Sequence, residues 1–196
     1  MYKVGITGGI GSGKSTLCEL LSGYGIPIYD SDSRAKTLMS ISCELRQALC
    51  DAFGAECYRG DELNRAYLSQ RVFGDAAALA QLNSIVHPFV RADFRAWAEQ
   101  QSSEYVVLES AILFEAGFEN EIDTIVAVLA PLEERLLRAM SRDNASRESV
   151  LSRISHQTSD DELLRRSHRS IVNIHREYFE SDAEQLHKIL LYEARR

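Results

Sequence analysis

Two hydrophobic rhythms alternate along this chain. Residues 2–7, Tyr-Lys-Val-Gly-Ile-Thr, form a short apolar run with strand character. The stretch Thr16-Leu17-Cys18-Glu19-Leu20-Leu21 then reads as a helix that Gly23 and Gly25 bring to an end. Ile26-Pro27-Ile28-Tyr29 predicts a second short strand, and residues 33–39 a helix. From 42 to 102 the pattern is mostly helical. Apolar residues recur at three-and-four spacing over 44–53, 64–73, 76–85 and 89–101, with Gly54, Gly60-Asp61 and Gly74-Asp75 at the turns. Pro88 is expected in the first turn of the last of these helices. Strand character returns at 105–108 and at 124–130, where Thr-Ile-Val-Ala-Val-Leu-Ala is apolar enough for a parallel strand buried on both faces. Pro131 opens another helix, residues 170–173 suggest a fifth short strand, and 176–194 form a terminal amphipathic helix. Strands alternating with helices predict an α/β fold on a parallel sheet, interrupted by an inserted helical lobe.

The link between the first strand and its helix is Gly8-Gly9-Ile10-Gly11-Ser12-Gly13-Lys14-Ser15, which matches G-x-x-x-x-G-K-[ST] at every fixed position. Glycines let successive backbone N–H groups converge on an anion, and the helix N-terminus behind them adds partial positive charge. In that setting Lys14 reaches the β- and γ-phosphates of a nucleotide, and the Ser15 hydroxyl ligates Mg²⁺.

Two acidic positions carry candidate chemistry. Asp30-Ser31-Asp32 follows the second strand, where residues of an open α/β sheet face the ligand crevice. Such a carboxylate accepts a proton from an attacking hydroxyl, orients it, or holds Mg²⁺ through water; the pair also suits helix capping, and both readings stay open with Asp30 as cap and Asp32 at work. Glu109 closes the third strand, where a phosphate-loop protein places an acidic group that acts on Mg²⁺. Arg135, Arg138 and Arg142 share a helical face within an arginine-rich stretch, residues 133–169. They fit either a surface ion-pair helix or a lid that closes on phosphates. His87 fits a substrate contact or a helix cap, and Arg65 and Arg71 fit substrate phosphates or solvated positions.

Composition narrows the function classes. A net charge of −7 argues against a broad nucleic-acid-binding surface. The four cysteines, Cys18, Cys43, Cys50 and Cys57, make no disulfide framework at 196 residues and lack a histidine at zinc-site spacing. With Lys3 already in the first strand there is no room for a leader, and no apolar run reaches the roughly 20 residues that span a bilayer. The expectation is a cytoplasmic protein in a reducing setting.

Together the motifs resemble the dephospho-CoA kinase family. The residues concerned are the opening 5–15, Asp30-Ser31-Asp32, Leu63-Asn64-Arg65 with Leu68 and Val72-Phe73, Leu82-Asn83 before His87-Pro88, Leu113-Phe114-Glu115, and Arg138, Arg142-Asp143, Arg153 and Gln157. The resemblance runs in order from residue 2 to about 173. It implies a P-loop, nucleoside-monophosphate-kinase-like fold: a five-stranded parallel sheet flanked by helices, in one domain spanning 1–196. The core would be 1–41 and 103–196, the helical substrate lobe about 42–102, and the lid about 138–150. The implied reaction is ATP-dependent phosphorylation of the 3′-hydroxyl of dephospho-CoA, with Mg²⁺, and no nucleic-acid, membrane or obligate protein partner. By the same resemblance, Gly11, Ser12, Gly13, Lys14, Ser15 and Thr16 hold ATP phosphates together with Arg138. Lys14, Asp32 and Arg142 are catalytic, with Asp32 as base. Thr7, Asp32, Arg65, His87 and Glu115 belong to the acceptor, and Ser15 and Glu109 to the metal.

The chain also departs from the family pattern. Glu109-Ser110-Ala111 stands where the family usually has Asp-x-Pro, and Ser167-His168 stands where Ala-Asp is common. No glycine follows Asn173 at the family's position. The rival readings are a kinase of another small acceptor such as a nucleoside monophosphate, a GTP-binding switch, and a catalytically silent nucleotide-binding protein. The switch lacks its Asn-Lys-x-Asp motif, since no asparagine here precedes a lysine.

Overall fold

A computed structural model of the chain describes residues 1–155 and 157–196. In order, the elements are β1 (Tyr2–Thr7), α1 (Lys14–Gly23), β2 (Ile28–Asp30), α2 (Ser31–Ile41), α3 (Cys43–Phe53), β3 (Tyr58–Arg59), β4 (Glu62–Leu63), α4 (Arg65–Val72), α5 (Ala76–Glu99), β5 (Tyr105–Glu109), β6 (Thr124–Leu129), α6 (Leu132–Asp143), α7 (Arg147–Ser155), α8 (Asp160–Arg166), β7 (Arg169–Val172) and α9 (Arg176–Ala194). They divide into two compact units, Met1–Tyr29 with Trp97–Arg196, and Asp30–Ala96.

The first unit is built on a five-stranded parallel sheet in the order β2-β5-β1-β6-β7. β1 is central, pairing Val4 with Val107 of β5 and with Thr124 of β6. β7 closes one edge through Val128–Ile171 pairing. β6 has β1 on one side and β7 on the other, and its residues 125–128 are all apolar and buried, as an interior parallel strand requires. On one face, Val4, Ile6, Val107, Val126, Val128 and Ile171 pack with Leu17 and Leu21 of α1 and with Phe179, Leu186 and Leu190 of α9. Each fully buried side chain of this size contributes about 1.5–3 kcal/mol, so this layer fixes where β1 ends. The strand bottoms are fastened by one carboxylate: Glu193 of α9 accepts from the Tyr2 hydroxyl at 3.1 Å and from the Arg169 guanidinium. At the Ser167-His168 departure, His168 Nδ1 accepts the Ile125 N–H at 3.0 Å while the His168 backbone N–H donates to the Ile125 carbonyl at 3.0 Å.

The second unit gathers α2, α3, α4 and most of α5. Leu45, Leu49, Phe53, Cys57, Leu68, Val86, Val90 and Phe94 are buried there. Arg34 of α2 makes a two-point ion pair with Asp93 of α5, at 2.9 and 2.7 Å. Two expectations are corrected here. One helix, α5, runs from Ala76 to Glu99 with Pro88 inside it, rather than two helices meeting at His87-Pro88. A mid-helix proline loses one backbone bond and disfavours the preceding turn, yet apolar Val86, Val90 and Phe94 continue the buried stripe through it, and that burial outweighs the loss. His87 is therefore a half-buried mid-helix residue and does not cap a helix start. The mostly helical stretch also contains a two-stranded antiparallel hairpin, β3–β4, around the Gly60-Asp61 turn, with Tyr58 opposite Leu63. Tyr58 is buried and donates its hydroxyl to the Met39 carbonyl at 2.6 Å, which favours the extended backbone over another helical turn.

Beneath the sheet, Tyr105 is buried and its hydroxyl meets His187 Nδ1 at 2.8 Å, with Tyr24 stacked on the imidazole at 4.7 Å. Burial pushes the His187 pKa down; Glu104 pulls it up and Lys188 adds to the depression, but burial dominates. A histidine that binds its proton less tightly when folded supports stability above the ordinary histidine pKa and loses that support as pH falls below it. The thermal midpoint should therefore drop between pH 7.5 and 5.5 by more in the unsubstituted protein than in His187→Gln. Equal slopes in parallel melts would remove His187 from the pH response.

Candidate active site

The β1–α1 turn bends tightly around its own backbone. α1 begins at Lys14 with no acidic residue in its first turn and no side chain capping it, and Gly13 in the cap position has φ 104°. Unoccupied N–H groups and the helix dipole there favour an anion. At Gly11, φ is 76° and an added Cβ would lie 2.3 Å from the Arg135 carbonyl oxygen, so α6 approaches the loop too closely for any side chain. At Gly13 an added Cβ would lie 2.0 Å from Asn173 Nδ2.

Those close neighbours orient the loop. In a trans peptide the C=O and the N–H point to opposite sides. Asn173, buried just after β7, donates from Nδ2 to the Ser12 carbonyl at 3.0 Å, which turns the Gly13 N–H to the other side. Arg138 holds the Asn173 carbonyl with both terminal nitrogens at 3.3 Å and reaches the Gly11 carbonyl at 3.5 Å. Lys14 Nζ donates across the loop to the Gly8 carbonyl at 2.8 Å and to that of Gly9 at 3.3 Å. The ammonium thus sits at the loop mouth, where an anion of higher charge density would compete for it. Asn173 carried no assigned role in the sequence pattern; Arg135, which the three-and-four spacing put on a face fit for either surface ion pairs or a phosphate lid, is 5% exposed.

Ser15 and Glu109 come together, with Ser15 Oγ donating to Glu109 Oε1 at 2.8 Å. β5 lies beside β1 with Ile6 opposite Glu109, which puts this carboxylate at the level of the loop. A hydroxyl and a carboxylate oxygen are hard donors that suit Mg²⁺, an ion that keeps waters and uses substrate phosphates to complete its shell. Among the described residues no group of three or more His, Cys, Asp or Glu side chains gathers to hold a metal. Thr7 and Ser12 are each 1% exposed, and among the described residues neither hydroxyl has a hydrogen-bond partner. Thr16 is exposed in the first turn of α1.

Further along α6, Arg142 makes a two-point pair with Asp143 at 2.7 and 3.1 Å, and Arg153 of α7 joins the same carboxylate at 2.6 Å. Two guanidinium groups hold the Asp143 carboxyl far below its usual range, and Asp143 raises the Arg142 pKa. Glu115 is exposed and accepts from the Thr158 hydroxyl. The remaining sequence candidates lie in the second unit. Asp30 caps α2, accepting from the N–H groups of Asp32 and Ser33 at 3.0 and 3.1 Å, and this leaves the exposed Asp32 carboxylate out of the capping role. Arg65 is exposed at the start of α4, and His87 is half-buried on α5. The structure thus brings Thr7, the phosphate loop, Glu109, Glu115, Arg138 and Arg142 into one unit, and Asp32, Arg65 and His87 into the other.

A parallel sheet whose central strand runs into a glycine-rich loop with lysine and serine at the helix start, beside an acidic strand end, defines a P-loop kinase of the α/β class. A family model for dephospho-CoA kinase matches residues 2–177, and the chain belongs to that family. It is 44% identical over 172 residues to a dephospho-CoA kinase of Bacteroides fragilis, covering 87% of this chain and 84% of the relative. A crystal structure of a Thermus thermophilus protein superposes with a TM-score of 0.81 at 36% identity, covering 98% and 97% of the two chains. A dephospho-CoA kinase from Campylobacter jejuni, at 22% identity, shares the fold with a TM-score of 0.70 over 97% and 98%.

Gly11→Ala should cost about 1–3 kcal/mol of stability from its left-handed backbone alone, with the clash against the Arg135 carbonyl in addition. Urea unfolding reads this directly, and an unchanged midpoint would contradict the close packing of α6 on the loop.

Proposed function

We propose that the protein transfers the γ-phosphoryl group of ATP to the ribose 3′-hydroxyl of dephospho-CoA, giving CoA and ADP, the last step of CoA synthesis. The observation that carries this reading is the complete phosphate loop, with Lys14 at its mouth and Ser15 against Glu109, in a chain matched from residue 2 to 177 by the family. The domain reading is a single kinase domain, with a core at 1–41 and 103–196, a substrate lobe at about 42–102 and a lid at about 138–150.

In this reading Asp32 takes the proton of the 3′-hydroxyl as its oxygen bonds to the γ-phosphorus, and the bond to the β,γ-bridging oxygen breaks to release ADP. The loop from Gly11 to Thr16, through those of its N–H groups that the Ser12-to-Gly9 turn bond does not use, and the Lys14 ammonium bind the phosphates and meet the charge that builds on the leaving oxygen. Arg138 steadies the loop from α6, and Arg142 exchanges Asp143 for phosphate oxygens. Ser15 and Glu109 would hold Mg²⁺, which when bound supplies charge neutralisation at the phosphates. Thr7, Arg65, His87 and Glu115 contribute to acceptor binding. Small molecules are the partners in this reading. The cytoplasm is the proposed location, and among the described residues no helix is long and apolar enough to cross a membrane.

Purified protein with ATP and Mg²⁺ should release ADP on addition of dephospho-CoA, with CoA identified by mass, and not on addition of AMP, adenosine or shikimate. Stimulation by one of the others alone would overturn the acceptor assignment. Lys14→Ala should lower turnover by at least ~100-fold, the usual size for an electrostatic stabiliser of a transition state. Asp32→Asn should retain ATP affinity while losing turnover. A collapse of ATP binding in that variant would make Asp32 a binding or metal group rather than the base.

A further inference from the structure

The peptide groups on either side of Ile10 are held from outside the loop. Gln157 Oε1 accepts the Ile10 N–H at 2.8 Å, and Arg135 Nε donates to the Ile10 carbonyl at 3.0 Å. The Ile10 side chain packs against Leu136, Ala139 and Val150 of α6 and α7. Arg135 is itself fixed, since its Nη1 bridges both carboxylate oxygens of Asp160 at 2.9 and 3.2 Å. Its Nη2 lies where Gly9 has no side chain; a Cβ there would be 1.9 Å away.

These contacts have a directional consequence. The Ile10 carbonyl is drawn toward α6, so the N–H of the same peptide, that of Gly11, points to the opposite side. The Ile10 N–H is drawn toward Gln157, so the Gly9 carbonyl points the other way, where it accepts the Ser12 N–H at 3.1 Å and closes the turn. An anion nest needs its N–H groups set before the ligand arrives, and preorganised donors bind without the cost of reordering. A buried guanidinium is an expensive way to satisfy one carbonyl unless its geometry is used. Here two perpendicular demands, on Ile10 and on Asp160, are met by one rigid fork, which a lysine ammonium cannot reproduce.

We infer that Arg135, pinned by Asp160 and acting with Gln157, is a positioning residue that presets the Gly9-Ile10-Gly11 peptides of the phosphate loop for nucleotide phosphates. It touches no reacting atom in this role. The inference rests on the proposed use of the loop for ATP, but it is tested by nucleotide binding without any acceptor. A failure to phosphorylate dephospho-CoA therefore counts against the proposed reaction and leaves this test intact.

The test measures ADP affinity by calorimetry, KM for each substrate, and the thermal midpoint, in Asp160→Asn, Gln157→Met, Arg135→Lys and Arg135→Met. Asp160 and Gln157 are only half-buried, so their variants keep the result readable if an Arg135 variant fails to fold. We expect ADP dissociation constants and KM for ATP to rise about ten-fold in Asp160→Asn and Gln157→Met, with KM for dephospho-CoA and the midpoint unchanged. Arg135→Lys should not restore ADP affinity relative to Arg135→Met. Gly9→Ala, which displaces the guanidinium, should weaken ADP binding in the unsubstituted background and add little in Asp160→Asn. Unchanged ADP affinity in both half-buried variants would overturn the inference. So would a parallel rise in both KM values that tracks a fall in the midpoint, because that is the signature of a merely structural ion pair.

Discussion

A backbone that binds an anion through its N–H groups has to satisfy the carbonyls on its other side. That accounting governs the phosphate loop here. Every peptide whose N–H is turned inward sends its oxygen outward, and an outward oxygen buried without a donor would cost about 1–3 kcal/mol. The donors for such oxygens are Asn173 for Ser12 and Arg135 for Ile10, while Arg138 reaches the oxygen of Gly11, whose peptide uses its N–H to close the turn onto Gly9. None is local. They come from α6 and from the end of β7, more than 120 residues further along the chain. The loop therefore acquires its shape only when β6 and β7 have joined β1 and brought those donors with them.

The same dependence accounts for the sheet order. With β1 in the middle, the loop has β5 on one side and β6 on the other. The β5 side supplies Glu109 for Ser15, a hard-oxygen pair. The β6 side leads into α6, which supplies the guanidinium groups. Topology thus places the Glu109 carboxylate beside the hydroxyl that suits a cation, and the guanidinium groups, each paired with a carboxylate, on the side that supports the backbone. Ligands of open α/β sheets sit beyond the carboxyl ends of the strands for this reason, since only there do loops from neighbouring strands converge.

The parts legible in the sequence are those set by local rules. The loop glycines with Lys14 and Ser15 have one pattern and one job, and Glu109 follows from an apolar run that stops at a charge. Asp30 caps α2 as its residue type and position suggested. What was not legible depends on partners distant in sequence. Pro88 is tolerated inside α5 because a buried stripe continues on both sides of it, and no local signal weighs burial against a lost hydrogen bond. The hairpin at Tyr58 owes its extended backbone to a hydrogen bond to Met39. Arg135 has the same sequence spacing as Arg138 and Arg142 but a different fate, fixed by where Ile10 and Asp160 lie.

Those three arginines also show how one helical face divides its labour. Side-chain exposure rises along α6 from 6% at Arg135 to 32% at Arg138 and 60% at Arg142. The first is locked between a carbonyl and a carboxylate, the second spans the loop and the Asn173 carbonyl, and the third is exposed and paired with Asp143. An exposed ion pair is worth little, so Arg142 can leave Asp143 at small cost, particularly because Arg153 remains on that carboxylate. A buried pair cannot separate so cheaply, since the charge left behind has no water to receive it. The fold therefore fixes the arginine that holds the Ile10 carbonyl and leaves exposed the one that the proposed mechanism assigns to phosphate.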